Sequence, residues 1–238
     1  MFLDSYYLEE NGVFSFTREQ ASHFAKKVAG DFNPIHDEDN KRFCVPGDLL
    51  FSVVLSRAGI SKKMRFEFAG MINDGIGLKA KHSCFNDFAI VDDADKEYLH
   101  VTREGEITTD KALIEQVTKS YVQFSGMNFP HIMVPLMKSK DIMINTARPL
   151  VIYESMELNF ERLDLTSPTV ELAESEIEVE GKRGSVTLNF HFKENGEVVG
   201  TGRKRMLMSG LKPYDQAAID DLVERFNARK VEFSAIAA

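Results

Sequence analysis

Residues 46–59 read Pro46-Gly47-Asp48-Leu49-Leu50-Phe51-Ser52-Val53-Val54-Leu55-Ser56-Arg57-Ala58-Gly59, and this stretch decides the fold. Leu49, Leu50, Phe51, Val53, Val54, Leu55 and Ala58 cover nearly the whole circumference of a helix, so no face is left for water. At about 12 residues the run is long for a strand and far short of the roughly 20 that a membrane span needs. Pro46-Gly47 opens it and Gly59 ends it. A helix that is apolar on most sides must be wrapped by the rest of the chain. Strand-like runs follow at Met64–Phe68, Gly75–Lys81, Phe88–Val91 and Glu97–Arg103, and these are the wrapping material.

Upstream, Thr17 and Gln20 have capping-box spacing, a hydroxyl for free N–H groups and an amide that reaches back. Ala21, Phe24, Ala25 and Val28 form one helical stripe, and Gly30 can take the left-handed closing conformation, so residues 17–29 are expected to be a helix. Asp31-Phe32-Asn33-Pro34-Ile35-His36 is then a turn, fixed by Pro34 and Asn33. Asp37-Glu38-Asp39-Asn40-Lys41-Arg42 reads as a solvated loop; adjacent residues rarely converge on one ion, so no metal is expected there.

The second half repeats this order. Asp110 can cap a helix with Leu113, Ile114, Val117 and Tyr121 on one stripe, ended by Gly126. Met127-Asn128-Phe129-Pro130-His131 and an apolar stretch, Ile132–Met137, come next. Alternation at Leu158/Phe160, Val170/Leu172, Ile177/Val179 and Val186/Leu188/Phe190/Phe192 predicts strands with one buried face. Asn195-Gly196 is a two-residue hairpin signal leading into Val198–Met208. The chain closes on a helix with Pro213 near its start and Ile219, Leu222, Val223 and Phe226 on one stripe. Setting Gly30 against Gly126 aligns AGDFNPIH with SGMNFPHI, which suggests a duplication. The expected units are 1–108, 109–211 and a C-terminal helix and tail over 212–238. With no low-complexity linker between them, the halves are expected to pack tightly, and their sheets can be continuous.

Composition narrows the function. The chain has 238 residues and a net charge of −8, which argues against a nucleic-acid surface, since that needs Lys and Arg in excess to neutralise phosphates. No apolar run is long enough for a membrane span, and the first residues lack a basic region followed by an apolar stretch, so no export signal is read. Two cysteines, Cys44 and Cys84, are then expected to be reduced, buried thiols in a cytoplasmic protein. Arg203-Lys204-Arg205 reads as a solvated stretch of strand, and His82, His100, His131 and His191 are assigned no role.

The chemistry is expected at the turn. Asp31 and His36 stand five apart across Pro34, where a carboxylate and an imidazole can share a water, one acting as base while the other orients or protonates. Asn33 can hold the turn or the water. Gly47 opens the buried helix, so the N–H groups there are unpaired and can polarise a carbonyl oxygen. The bland alternative is that Asp31 and Asn33 cap a turn and His36 is a satisfied polar residue.

FAKKVAGDFNPIH, residues 24–36, followed by a buried helix opened by glycine, resembles the signature of the MaoC-like, or (R)-specific enoyl-CoA hydratase, family over roughly residues 16–59. Gly30, Asp31, Asn33, Pro34 and His36 all stand in place. The resemblance implies an α+β double hotdog, two antiparallel sheets each wrapping a central helix. It implies cofactor-independent hydration of a trans-2-enoyl thioester, carried by coenzyme A or an acyl carrier. Asp31, His36, Asn33 and Gly47 would carry the reaction, and Pro34, Phe43, Asp48 and Phe51 would contact substrate. Met127 replaces the acid in the second half, as in relatives where one half has lost the catalytic pair. The chain departs from the pattern in the short, mostly charged step from His36 to Gly47 and in Pro46-Gly47-Asp48, which puts a carboxylate beside the helix N–H groups. The alternatives are a thioesterase, a hotdog that binds an acyl thioester or another apolar ligand without turnover, and a structural or partner-binding hotdog. Two fused halves already make a pseudo-dimer, so a monomer and a homodimer are both compatible with the sequence.

Overall fold

The computed structural model of the chain describes residues 2–146 and 148–236. A 3-10 turn (Phe2–Ser5) and a small hairpin, β1 (Leu8–Glu10) and β2 (Val13–Ser15), precede α1 (Arg18–His23), which runs on as a π-helical turn over Phe24–Ala29. A 3-10 turn at Pro34–His36 leads to α2 (Gly47–Ala58), then β3 (Ile60–Phe68), β4 (Lys79–Cys84), β5 (Asp87–Val91) and β6 (Glu97–Thr108). The second half has α3 (Lys111–Gly126), a π-helical turn (Phe129–Met133), α4 (Val134–Ser139), β7 (Ile142–Met143), β8 (Val151–Phe160), β9 (Thr169–Glu180), β10 (Arg183–Glu194), β11 (Glu197–Ser209), β12 (Lys212–Pro213) and α5 (Gln216–Ile236). The last two residues of the expected tail lie outside the described residues.

Eight strands form one antiparallel sheet in the order β4-β5-β6-β3-β8-β11-β10-β9. Outward from the centre, each side presents the first, fourth, third and second long strand of its half, so the topology is a two-fold repeat. The sides join at β3 and β8, with Phe66 opposite Met156 and Arg65 opposite Glu157. α2 packs on this sheet through Phe51, edge-on to Phe66 at 5.0 Å, and α3 lies beside it with Tyr121 at 5.1 Å from Phe51. Leu49 to Leu55 are buried all round, as the sequence demands. The chain is therefore an α+β protein with the double-hotdog arrangement, its two sheets continuous. A second apolar cluster joins Met137, Val186, Leu188, Met208 and Ile219 beneath α4 and α5.

Several elements follow from local chemistry as expected. Thr17 and Gln20 form the reciprocal capping box, and Gly30 closes the helix at φ +68°. Asp110 accepts from the Leu113 N–H at 2.9 Å. Asn195 and Gly196 both have positive φ, the type I′ turn that matches strand twist. Val186, Leu188, Phe190 and Phe192 are fully buried along β10.

Other expectations need correction. Gly126 is the last residue of α3, where the sequence ends it, but it closes the helix without the left-handed conformation of Gly30, and a Cβ there would stand 2.0 Å from the Ala29 carbonyl oxygen. Its smallness lets α3 touch the end of the first helix. The apolar stretch Ile132–Met137 is divided between the π-helical turn and the six residues of α4, because Pro130 and Pro135 stand at the starts of these two pieces and lack the N–H that a continuous ladder needs. The strand expected from Gly75 begins only at Lys79, since Gly75 turns the chain at φ +74°. Pro213 lies in β12, and α5 starts three residues later. Asp37 is not solvated: its carboxylate is held by Lys26 at 2.8 Å and by Arg229 of α5.

Cys84 is exposed on the edge strand β4, against expectation, while Cys44 is buried and burial pushes its thiol up to about 11. The thiolate is the reactive form. A disulfide-exchange reagent at pH 8 is therefore expected to modify one thiol per folded chain, with the second reacting only on unfolding and Cys84→Ser removing the fast phase. Two fast thiols in the folded protein would contradict this placement.

Candidate functional site

The turn after α1 is built by its own side chains. The π-helical turn lets the Ala25 carbonyl accept from both the Gly30 and Asp31 N–H groups, the latter at 2.8 Å. Such single-turn π segments are common where a helix must present a functional loop. Asp31 Oδ1 accepts from the Asn33 N–H at 2.8 Å, and Asn33 Oδ1 accepts from the Ile35 N–H at 3.1 Å. Asn33 therefore holds the turn through its carbonyl oxygen. Pro34 is exposed at the corner, and its carbonyl is held by Asn40 Nδ2.

Asp31 and His36 are brought together. Asp31 Oδ2 stands 3.6 Å from His36 Nε2, the acid side chain about 26% exposed and the imidazole 12%. His36 Nδ1 is 2.7 Å from the Cys44 carbonyl oxygen. A carbonyl only accepts, so Nδ1 donates to it, and Nε2 is the ring nitrogen that faces Asp31. Burial raises the Asp31 carboxyl above its ordinary range, and the charge of Asp48 adds to this; His36, the Asn33 N–H and Lys204 pull the other way.

That shift has a sign for stability. A carboxyl with a raised folded pKa binds its proton more tightly when folded, so it costs nothing below the unfolded value near 4 and costs progressively more as pH rises through the folded value. Asp31→Asn, which keeps an oxygen for the Asn33 N–H, is expected to melt above the parent at pH 7, with the gap closing toward pH 4. A variant that melts below the parent at both pH values would contradict the burial of this carboxyl.

The head of α2 lies in the same neighbourhood. Pro46 is its N-cap and no side chain caps it; the Pro46 carbonyl accepts from the Leu49 and Leu50 N–H groups at 3.0 and 3.3 Å, which leaves the Gly47 and Asp48 N–H groups without an intrahelical partner. Gly47 is backed by aromatic rings: a Cβ would meet Tyr153 Cδ1 at 2.9 Å and Phe68 Cε1 at 3.3 Å, and these two rings stack at 4.2 Å. Asp48 does not cap the helix. Its Oδ2 accepts from the Ser125 hydroxyl at 2.5 Å, and Ser125 Oγ in turn accepts from Lys204 Nζ at 2.5 Å. Tyr121 and Tyr153 meet through their hydroxyls, and burial holds both phenols well above their ordinary range, hence neutral.

The remaining candidates lie elsewhere in the packing. Phe43 is buried beneath the Arg18 guanidinium, 4.9 Å from the ring centre, and Phe51 is wholly core; neither presents surface to a ligand in this structure. A groove of about 720 Å³ runs over the outer face of β8–β11, lined by Glu157, Asn159, Asn189, His191, Thr201 and Arg203 among others. A smaller one, about 400 Å³, lies beside Asp37. Neither is lined by Asp31, His36 or Gly47. Among the described residues no three His, Cys, Asp or Glu side chains converge as metal ligands, and no helix is long and apolar enough to cross a membrane.

Sequence reasoning missed Ser125, Tyr121, Tyr153 and Lys204. Lys204 was legible: alternation along β11 puts it on the inner face with Met206 and Met208, and it is 5% exposed while Arg203 and Arg205 face solvent. Tyr121 was legible only as a buried stripe residue, and Ser125 and Tyr153 carry no sequence signal, since only the tertiary pairing of α3 with α2 and β8 brings them here.

The fold and this cluster define a double-hotdog protein with an acid–imidazole pair beside the head of its buried helix. Over residues 1–217 the chain matches the family described as protein of unknown function (DUF3581), and it belongs to that family. α5 lies almost wholly beyond the matched residues. No curated protein matches the chain in sequence. Solved structures similar to it include the tesB protein of Mycobacterium avium subspecies paratuberculosis, at 10% identity, covering 87% of this chain and 97% of that one with a TM-score of 0.48. A conserved protein of unknown function with a hot dog fold from Alicyclobacillus acidocaldarius is 9% identical, covering 90% and 99%, TM-score 0.47. A MaoC-like dehydratase is 8% identical, covering 84% and 97%, TM-score 0.44.

Proposed function

We propose that the protein acts on an acyl thioester, adding water to a trans-2-enoyl group or removing it, with Asp31 and His36 sharing the proton transfers. One observation carries this reading: Asp31 Oδ2 and His36 Nε2 face each other at 3.6 Å while the other atom of each side chain is already engaged. In the hydration direction a water held between them gives a proton to His36 Nε2 as its oxygen bonds to the β-carbon. Asp31, whose carboxyl is biased toward the protonated form by burial, gives its proton to the α-carbon. The proton on His36 then returns to Asp31, and the pair is reset. The thioester carbonyl would rest at the free amides around Gly47, where the growing enolate charge meets the positive end of α2. Asn33 and Pro34 keep the turn in shape, and Asp48 borders the carbonyl position.

On this reading residues 1–108 form the unit that carries the motif, 109–211 a second unit without the pair, and 212–238 a closing helix and tail. The carrier is coenzyme A or an acyl-carrier protein, and the compartment a reducing cytoplasm in keeping with two free thiols.

A second reading, binding without turnover, is favoured by the Phe68–Tyr153 stack against Gly47 and by the carboxylate of Asp48 at the helix head. Both are tested together by mixing the protein with crotonyl-CoA and with a longer enoyl-CoA, following the loss of enoyl absorbance and the melting temperature. Turnover supports hydration. A raised melting temperature without turnover supports binding alone. Neither signal overturns both.

A further inference from the structure

We propose that Lys204 is a positioning residue of this site: through the Ser125 hydroxyl it holds and neutralises Asp48 at the head of α2, keeping the free amide end of that helix open to a carbonyl oxygen. This rests on the reading of the site given above and adds a part to it from the second half of the chain.

Arg203 and Arg205 point outward from β11 toward Glu157 and Glu154, while Lys204 points inward and is 5% exposed. A lysine on the buried face of a sheet is costly unless its charge is matched. Its contacts are the Ser125 hydroxyl at 2.5 Å and the face of the Tyr153 ring at 4.2 Å. Ser125 passes the interaction on, donating to Asp48 Oδ2 at 2.5 Å. The hydroxyl accepts from the cation and donates to the anion, the one arrangement that lets a serine link the two.

Asp48 stands in the first turn of α2. A carboxylate in the first turn of a helix ordinarily serves the helix's own N–H groups. Here Oδ2 is directed at α3 instead, and Oδ1 is buried without a protein partner among the described residues. Left unmatched, that charge would repel any oxyanion placed at the same amides. The other charged groups around the site do not supply the match. Lys26 and Arg229 are taken up by Asp37, His36 faces Asp31, and Tyr121 and Tyr153 are neutral. Lys204 is the cation linked to Asp48, and Asp31 feels both charges, in opposite directions.

The test uses Lys204→Met, Asp48→Asn and the double variant of the full chain, with Lys204→Arg as the charge-retaining comparison. Two readouts are taken: kcat and KM with an enoyl-CoA, and the titration of the Asp31 carboxyl by 13C NMR, which needs no turnover. Lys204→Met is expected to lower kcat about 10- to 100-fold with a smaller change in KM, and to move the Asp31 titration to higher pH. Adding Asp48→Asn is expected to return both toward the parent, because the two charges leave together. Lys204→Arg is expected to fall between parent and Lys204→Met. If Lys204→Met does not fold, recovery of folding in the double variant carries the same support. An unchanged Asp31 titration in Lys204→Met, or a double variant no better than the single, overturns the proposal. Absence of turnover in the parent chain removes the hydration reading alone, since the Asp31 titration still decides the role of Lys204.

Discussion

Gly126→Ala is expected to destabilise the protein by about 3 kcal/mol, the upper end of what overpacking ordinarily costs. The added methyl carbon would lie 2.0 Å from the Ala29 carbonyl oxygen, 2.7 Å from its carbonyl carbon and 3.1 Å from the Asp31 N–H nitrogen. All three are backbone atoms, so no rotamer change relieves the contact. Either α3 withdraws from the end of the first helix, or the segment 29–31 moves and carries Asp31 with it. The variant is therefore expected to lose stability and to misplace the acid in whatever fraction remains folded. Gly30→Ala is the informative comparison. Gly30 has no heavy atom within 4 Å of an added Cβ but sits at φ +68°, so its cost is that of left-handed backbone, about 1 kcal/mol. Urea denaturation of both variants checks the order. Equal losses, or a Gly126→Ala variant within 0.5 kcal/mol of the parent by that roughly additive measure, would contradict the close approach of the two helices.

The other large effect is on chemistry. Removing a positioned general acid or base typically costs about 10²- to 10⁴-fold in rate. Asp31→Asn and His36→Gln are each expected to lose turnover within that range while leaving the circular dichroism spectrum unchanged, because both side chains stand on a turn held by other bonds. The Ala25, Ile35 and Pro34 carbonyls and the Asn33 and Asn40 side chains fix its backbone. The two variants differ in one respect that separates catalysis from stability: Asp31→Asn is expected to melt higher than the parent at pH 7 even as it loses activity. Loss of function with gain of stability is the behaviour of a site that buries an ionisable acid where the fold alone would not.

Much of this was legible in the sequence because it is written locally. The capping box of Thr17 and Gln20, the closing Gly30, the Asn195-Gly196 turn and the all-round apolar surface of α2 each follow from a few neighbouring residues and their periodicity. Asp31, Asn33 and His36 are equally local, five residues apart across one proline. What was not legible depends on contacts between distant segments. Gly126 ends α3 as a local signal would have it, but nothing local shows that Ala29 packs against it. Asp37 looks solvated until α5 brings Arg229 over it. Phe43 and Phe51 look like lining for an acyl chain until Arg18, Phe66 and Tyr121 close around them. The Asp48–Ser125–Lys204 chain joins three elements from two halves, and no spacing within the sequence announces it.

The claim on which the functional reading turns is that Asp31 and His36 work as one unit. It is tested most directly by the hydration rate of crotonyl-CoA with the parent, Asp31→Asn, His36→Gln and the double variant, measured at one pH near neutrality. A pair acting together predicts strong non-additivity, with the double variant no slower than the slower single variant. Losses that multiply, or rates that do not fall in any of the three variants, would contradict it.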